Sequence, residues 1–233
     1  MPREIRIFDT PQQLFDSAAN EFIALNPGTV ALSGGSTPKS LYSLLATKNI
    51  PWDKTYFFFG DERHVPPTDP ESNYRMASEA LLSKAPIPPE NIFRVPAENP
   101  DADAAARAYE KTVRDFFHLK PGEFPRFDLI LLGIGPDGHT ASLFPGSNGL
   151  KEKDRIFISN PVAKFKTDRL TFTYPVLDNA ANIILMATGE EKAPIIQDIL
   201  ENSSSVLPAA QVHPANGRVL WLLDRAAASR LSR

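Results

Sequence analysis

FDLILLGIGPDGHTASLFPG, residues 127–146, is the stretch from which the fold can be read. Its first half, 128–133, is an apolar run of strand length, as expected of a strand buried on both faces of a parallel sheet. The run stops at Gly133, Gly135 and Gly138, with Pro136 between them. Glycine tolerates positive φ and lets backbone N–H groups come close to a ligand. Asp137 and His139 stand inside this turn. A carboxylate and an imidazole two residues apart, at the carboxyl end of a central strand, occupy the place where open α/β sheets bind ligands.

Two plainer readings compete for the same turn. Gly133, Gly135 and Gly138 spell the G-x-G-x-x-G of dinucleotide sites. That motif needs a long helix directly after the turn and an acid about 20 residues on. Here Pro145 and Gly146 break the chain first, and no strand ends in a suitably placed acid. A purely structural turn, with Asp137 capping Thr140 or Ala141, leaves the density of special residues unexplained.

Upstream, a buried strand over 29–32 runs into Ser33-Gly34-Gly35-Ser36-Thr37-Pro38-Lys39-Ser40. Pro38 opens a helix carrying Leu41, Leu44 and Leu45. A helix N-terminus offers unpaired N–H groups and partial positive charge to an anion. Ser33, Ser36 and Thr37 add hydroxyls, and Gly34-Gly35 permits close approach. The Walker pattern is absent, so no nucleotide triphosphatase is expected. A third strand, 56–60, ends in Asp61-Glu62-Arg63-His64, more charge than a turn needs. Downstream, Gly189-Glu190-Glu191-Lys192-Ala193 opens another helix, with Lys192 in its first turn. The macrodipole disfavours a cation there. An anion shared with the helix end would account for it, as would offset by Glu190 and Glu191.

The remaining segments alternate. Strands are expected at 5–8, 92–95, 155–159, 169–174, 182–188 and 218–223, with strand or loop at 207–212. Helices are expected after Thr10, where Thr10, Pro11 and Gln13 form a capping box, after 69–73, over 102–117, briefly at 175–180, and at 226–231. This alternation predicts an α/β fold with a mainly parallel central sheet covered by helices on both faces. Residues 1–233 are read as a single domain, with no repeat or linker.

Composition sets the bounds. The chain has 233 residues, 42% hydrophobic and 23% charged, with net charge −3, ordinary for a globular protein. No basic run and no apolar stretch of spanning length points to nucleic acid or membrane. There are no cysteines, which removes disulfides and thiolate chemistry and fits a cytoplasmic protein. The N-terminus carries no signal-peptide pattern.

Taken in order, SGGSTPKSLY, FFFGDERHVPPTDPESNYRMA, FDLILLGIGPDGHTASLFPG, DRLTFTYPVLDNA and GEEKA make the chain similar to the 6-phosphogluconolactonase family. The resemblance covers nearly the whole chain. It implies a Rossmann-like α/β sandwich and hydrolysis of 6-phosphogluconolactone in the oxidative pentose phosphate pathway, with no required cofactor. The related glucosamine-6-phosphate deaminases share several of these motifs. They carry a catalytic Glu five residues after the His, where this chain has Phe144, and they read Asp-Glu-Tyr where it has Asp61-Glu62-Arg63. Phe144 cannot move a proton. Other classes to weigh are a sugar-phosphate isomerase on the same scaffold and a non-catalytic sugar-phosphate sensor.

The expected site follows. Ser33, Gly34, Gly35, Ser36 and Thr37 cradle the phosphate with Lys192 and the 189–192 helix start. Arg63 or Arg169 completes the charge; which cation touches which oxygen stays open. His139 acts as general base on water, with an ordinary imidazole pKa of about 6.5 leaving it mostly neutral. Asp137 orients His139, and Asp61 assists in a role left open. Backbone N–H groups of the Gly135 to Gly138 turn are candidate oxyanion donors. No metal is expected. The partner is a small sugar-phosphate lactone, and the protein a monomer or weak homo-oligomer. Residues 162–168 are a candidate lid.

Overall fold

The strand expected over 128–133 forms over Leu129–Gly133 and takes the central position its apolar run predicts. The computed structural model describes residues 4–163, 165 and 167–232. Part of the 162–168 stretch, including Lys164 and Lys166, therefore lies outside the described residues. A six-stranded, wholly parallel sheet forms from β1 (Glu4–Phe8), β2 (Thr29–Leu32), β3 (Tyr56–Phe59), β5 (Leu129–Gly133), β8 (Asn182–Ala187) and β9 (Arg218–Asp224). Its order is β1-β9-β8-β5-β2-β3. From β2 the chain steps outward to β3, whereas from β5 it steps the other way, to β8 and β9. The loops after β2 and β5 thus diverge at a topological switch point, which opens a crevice at the strands' carboxyl ends.

A second sheet was not anticipated. β4 (Asp61–Arg63), β7 (Arg169–Phe172) and β6 (Phe157–Asn160) form a three-stranded antiparallel sheet in the order β4-β7-β6. Gly60 is its junction with the first. The Gly60 N–H donates to Leu32 O in the large sheet, and its C=O accepts from Phe172 N in the small one. The charged segment after β3 is therefore a strand rather than a turn, and its alternation sends neighbouring side chains to opposite sides.

Helices cover the large sheet. The expected capping box at α1 (Pro11–Leu25) forms: Thr10 accepts from Gln13 N and Gln13 reaches back to the Thr10 N–H. α2 (Ser36–Leu45) packs beside α1, and α3 (Asn73–Ala77) continues into a wide turn over Ser78–Leu82. α4 (Ala102–Phe116) lies against β6 and β7, α5 (Tyr174–Leu177) is a single turn, and α6 (Ala193–Glu201) follows β8. β3 feeds two cores by alternation. Phe57 contacts Trp52, which contacts Phe22 of α1, whereas Phe58 stacks on Phe93 and meets Phe116 and Phe127 edge-on.

Three sequence expectations need correction. Residues 92–95 make only a bridge, Ile92 to Phe57, because Phe93 turns inward to stack on Phe58 and Pro96 ends the segment. Residues 207–212 hold a short 3-10 helix at Pro208–Gln211. The last helix, 226–231, is a run of turns: the Asp224 carboxylate takes the Ala227 N–H, a single four-residue bond joins Ala228 N–H to Asp224 O, and the amides of Ser229 and Leu231 reach back only three residues.

Candidate active site

The crevice is a cleft of about 510 Å³. Its floor is the turn after β5. Gly135 N–H donates to His139 O at 2.9 Å, and Gly138 N–H to Gly135 O at 3.0 Å, so the loop folds back on itself. His139 then lies over Gly135: a Cβ there would come within 2.0 Å of the imidazole. Only glycine admits this stacking. Asp137 Oδ1 sits 2.5 Å from His139 Nδ1 and also accepts from the His139 N–H at 3.3 Å. One carboxylate oxygen thereby fixes both the ring's rotation and its tautomer, which assigns base chemistry to Nε2. Phe144 covers the ring with centroids 4.2 Å apart.

The side wall is the loop after β2. Ser33 is held through its backbone by Tyr42, whose hydroxyl bonds both Ser33 N–H and Ser33 C=O at 2.9 Å. The Ser33 Oγ is buried and has no hydrogen-bond partner among the described residues. A buried hydroxyl without a partner is costly, so a ligand atom is the natural acceptor or donor. Gly35, at φ +106°, turns the chain into α2 without any side-chain cap. Pro38 has no N–H and Lys39 N–H bonds Gly35 O, so the amides of Ser36 and Thr37 lack helical partners. Gly34 has a different duty: Asn73 presses on it so closely that a Cβ would overlap the amide at 1.9 Å. Asn73 in turn donates to Asp61 O at 2.9 Å.

The start of the segment before α6 stands beside that of α2, tied by Thr37 Oγ1 to Thr188 Oγ1 at 3.1 Å. Asp224 receives the Gly189 N–H, and a short 3-10 turn over Glu190–Lys192 places Lys192 on the cleft wall. Lys192 occupies the cap of α6 rather than its first turn.

The far wall comes from the small sheet. Arg63 and Arg169 face each other across β4 and β7 and both line the cleft. Burial pushes the Arg169 guanidinium's pKa down, and the Arg63 charge pushes it further; Asp61 opposes both. Two neighbouring cations in a half-buried pocket are relieved by a bound anion. Arg169 also sits 4.2 Å over the Phe165 ring.

Asp61 faces the cleft and is 6% exposed; Ser142 Oγ donates to its Oδ2 at 2.7 Å. Ser142 was missed in the sequence, where one hydroxyl in TASLF gives little signal. It is anchored by Thr171 Oγ1 and Asn160, and the preceding Ala141 takes φ +47°, a costly conformation in the cleft wall. Ser142→Ala strands the buried Asp61 oxygen at a cost of about 1–3 kcal/mol, so kcat/KM should fall roughly tenfold and the thermal midpoint by roughly 2–12 °C. A loss confined to stability would make this hydrogen bond structural.

Most expected residues line the cleft: Ser33, Gly34, Gly35, Ser36, Thr37, Asp61, Arg63, Gly135, Asp137, His139, Arg169 and Lys192. Gly138 does not. At φ +77° it makes the turn, and a Cβ there would press on Leu207 at 3.0 Å. Glu62 and His64 also turn away: Glu62 caps the loop before α3, and His64 Nε2 bonds Asn99 O at 2.6 Å. Among the described residues, no group of three or more His, Asp or Glu side chains is arranged to hold a metal ion.

A switch-point crevice that sets free helix-start amides and three cations beside an aspartate-held histidine defines a class: an α/β protein whose cleft suits an anionic small molecule and offers an imidazole next to it. Comparison with known proteins narrows the class. Residues 8–221 match the family model described as glucosamine-6-phosphate isomerases/6-phosphogluconolactonase. A 6-phosphogluconolactonase of Nostoc sp. is 44% identical over 207 residues, covering 88% of this chain and 85% of the relative. The rat 6-phosphogluconolactonase is 40% identical over 248 residues, covering 99% and 95%. The solved 6-phosphogluconolactonase of Trypanosoma cruzi superposes with a TM-score of 0.90 at 33% identity, covering 100% and 98%. The chain belongs to the glucosamine-6-phosphate isomerase/6-phosphogluconolactonase family.

Proposed function

We infer that this chain hydrolyses 6-phospho-D-glucono-1,5-lactone to 6-phospho-D-gluconate, the second step of the oxidative pentose phosphate pathway. The observation that carries it is the Asp137–His139 pair at 2.5 Å, open to the same cleft as the anion cradle. The phosphate dianion takes the Ser36 and Thr37 amides, the Ser33 hydroxyl, and cations from Lys192, Arg169 and Arg63. Held there, the lactone ring lies across the floor and its carbonyl meets a water beside His139.

His139 Nε2 takes the proton as the water oxygen bonds to the carbonyl carbon. Asp137 stabilises the imidazolium formed. The tetrahedral oxyanion collapses, the bond to the ring oxygen breaks, and His139 returns its proton to that oxygen. Asp61, fixed by Ser142, is set to accept a substrate hydroxyl. The deaminase alternative needs a carboxylate five residues after His139. Phe144 stands there and packs on the imidazole instead.

The enzyme works as one domain on a small sugar-phosphate lactone and needs no added cofactor. No helix among the described residues is long and apolar enough to cross a membrane; we place the activity in the cytoplasm.

The test is acid release from freshly generated 6-phosphogluconolactone, with spontaneous hydrolysis subtracted. Rapid acid release is expected, with no ammonia from glucosamine 6-phosphate. Ammonia release without lactone hydrolysis would make the chain a deaminase, and binding without turnover a sensor. In the same assay Arg169→Met removes a guanidinium from the phosphate and should raise KM at least about tenfold with a smaller change in kcat. An unchanged KM would assign the phosphate to Lys192 and Arg63.

A further inference from the structure

β1 is the last strand of the large sheet, and among the described residues no strand pairs with its outer edge. Natural edge strands are normally blunted by shortness, by charged side chains, by proline, a bulge or a covering element, because their free N–H and C=O groups template association; on this five-residue edge the charges are Glu4 and Arg6. Glu4–Phe8 contains neither proline nor lysine, and Ile5 and Ile7 are 42% and 46% exposed. Both project from one face of the strand. Beside them runs a groove of about 560 Å³ whose apolar wall includes Leu200, Ala228 and Leu231.

We propose that this edge docks a second copy of the same chain, β1 against β1, antiparallel about a two-fold axis through Ile5. The two large sheets then form one continuous sheet, six strands from each copy. The choice of occupant rests on charge. With Ile5 on the axis, Glu4 lies opposite the partner's Arg6, and Arg6 opposite the partner's Glu4. A register centred on Arg6 would oppose two arginines, which destabilises a strand pair. Strand EIRIF is therefore self-complementary in one register, as an isologous interface requires.

The charged side chains are also ordered in advance. Arg6 contacts Glu4 at 2.6 Å and Glu21 at 2.7 Å, and Arg218 contacts the same two carboxylates at 2.7 Å. This ring already pairs both charges within the chain, so the partner's Glu4 and Arg6 would extend it and select the register. On the opposite face, Ile5 stacks on the partner's Ile5, with the partner's Ile7 on the diagonal. The two apolar grooves adjoin across the axis and bury surface that the single chain exposes.

The chain has no cysteine, so one introduced thiol reports the axis directly. Ile5→Cys is placed opposite its own copy, and Val206→Cys, at an 82% exposed position in the loop before the 3-10 helix, serves as the control. Under mild oxidant at about 100 µM, a range suited to a small interface, Ile5→Cys should form a disulfide-linked dimer at least about tenfold faster than Val206→Cys. Sedimentation of the wild type should reveal a concentration-dependent dimer, and Ile5→Lys should weaken it at least about tenfold by opposing like charges. The lysine variant should retain wild-type kcat and thermal midpoint. A wild type that stays monomeric at that concentration overturns the proposal. So does a dimer indifferent to Ile5→Lys, or equal cross-linking of the two cysteine variants.

Discussion

His139→Ala should lower kcat for lactone hydrolysis by roughly 10²–10⁴, with KM and thermal midpoint nearly unchanged. The Asp137 carboxylate holds the imidazole in the tautomer that leaves Nε2 able to take a proton from water. Its ring rests on the Gly135 backbone and under Phe144, so alanine removes the base and leaves the cradle standing. Asp137→Asn should be nearly as severe. The amide oxygen can still accept from His139, but it carries no charge to stabilise the imidazolium. Steady-state kinetics on both variants, with circular dichroism as a fold check, measure this. Full activity in His139→Ala would move the base to Asp61, and a raised KM alone would make His139 a binding residue.

Glu62→Gln should lower the unfolding free energy by about 3 kcal/mol, since buried donors left unpaired cost about 1–3 kcal/mol each. Glu62 is buried and accepts from Arg63 N at 2.8 Å, Asn73 N at 2.7 Å, Tyr74 N at 2.8 Å and Ser72 Oγ at 3.1 Å. All four partners are donors. An amide brings its own donors against them and loses the charge that strengthens each bond. Burial pushes the Glu62 carboxyl up, and the three backbone N–H groups pull it back. For a chain of this size the thermal midpoint should fall by roughly 6–12 °C. KM should rise too, because Asn73 links this cap to Gly34 and Asp61. Calorimetry decides the first effect. A midpoint within about 2 °C of wild type would mean that the loop does not depend on this carboxylate.

Glu62 also marks where sequence reading ends. Asp61, Glu62 and Arg63 look alike in sequence as charges following an aromatic strand. Three residues are too short for a periodicity signal, so nothing local says that they pair with β7. Once they do, alternation sends Asp61 and Arg63 to the cleft and Glu62 to the loop before α3. Gly138 is the converse. It completes a familiar spelling, yet its conformation serves the turn against Leu207. The expected helix at 226–231 failed for a related reason: alanines favour a helix, but after β9 the chain closes in successive tight turns.

Features whose cause lies within a few residues were settled by the amino-acid sequence alone. They include the Thr10 capping box, the apolar run at the sheet centre, the glycine turn with its Asp137–His139 pair, and the helix start after Gly34-Gly35. Each depends on backbone geometry and on partners a few positions away. Tertiary structure alone decided what needed distant partners. Ser142 meets Asp61 across 81 positions, and Thr37 meets Thr188 across 151. The crossing of the chain at β2 and β5 opens the cleft, and the small sheet sets Arg63 against Arg169. Long-range pairing of this kind is selected by the packing energy of the whole core, so no single segment carries its signature.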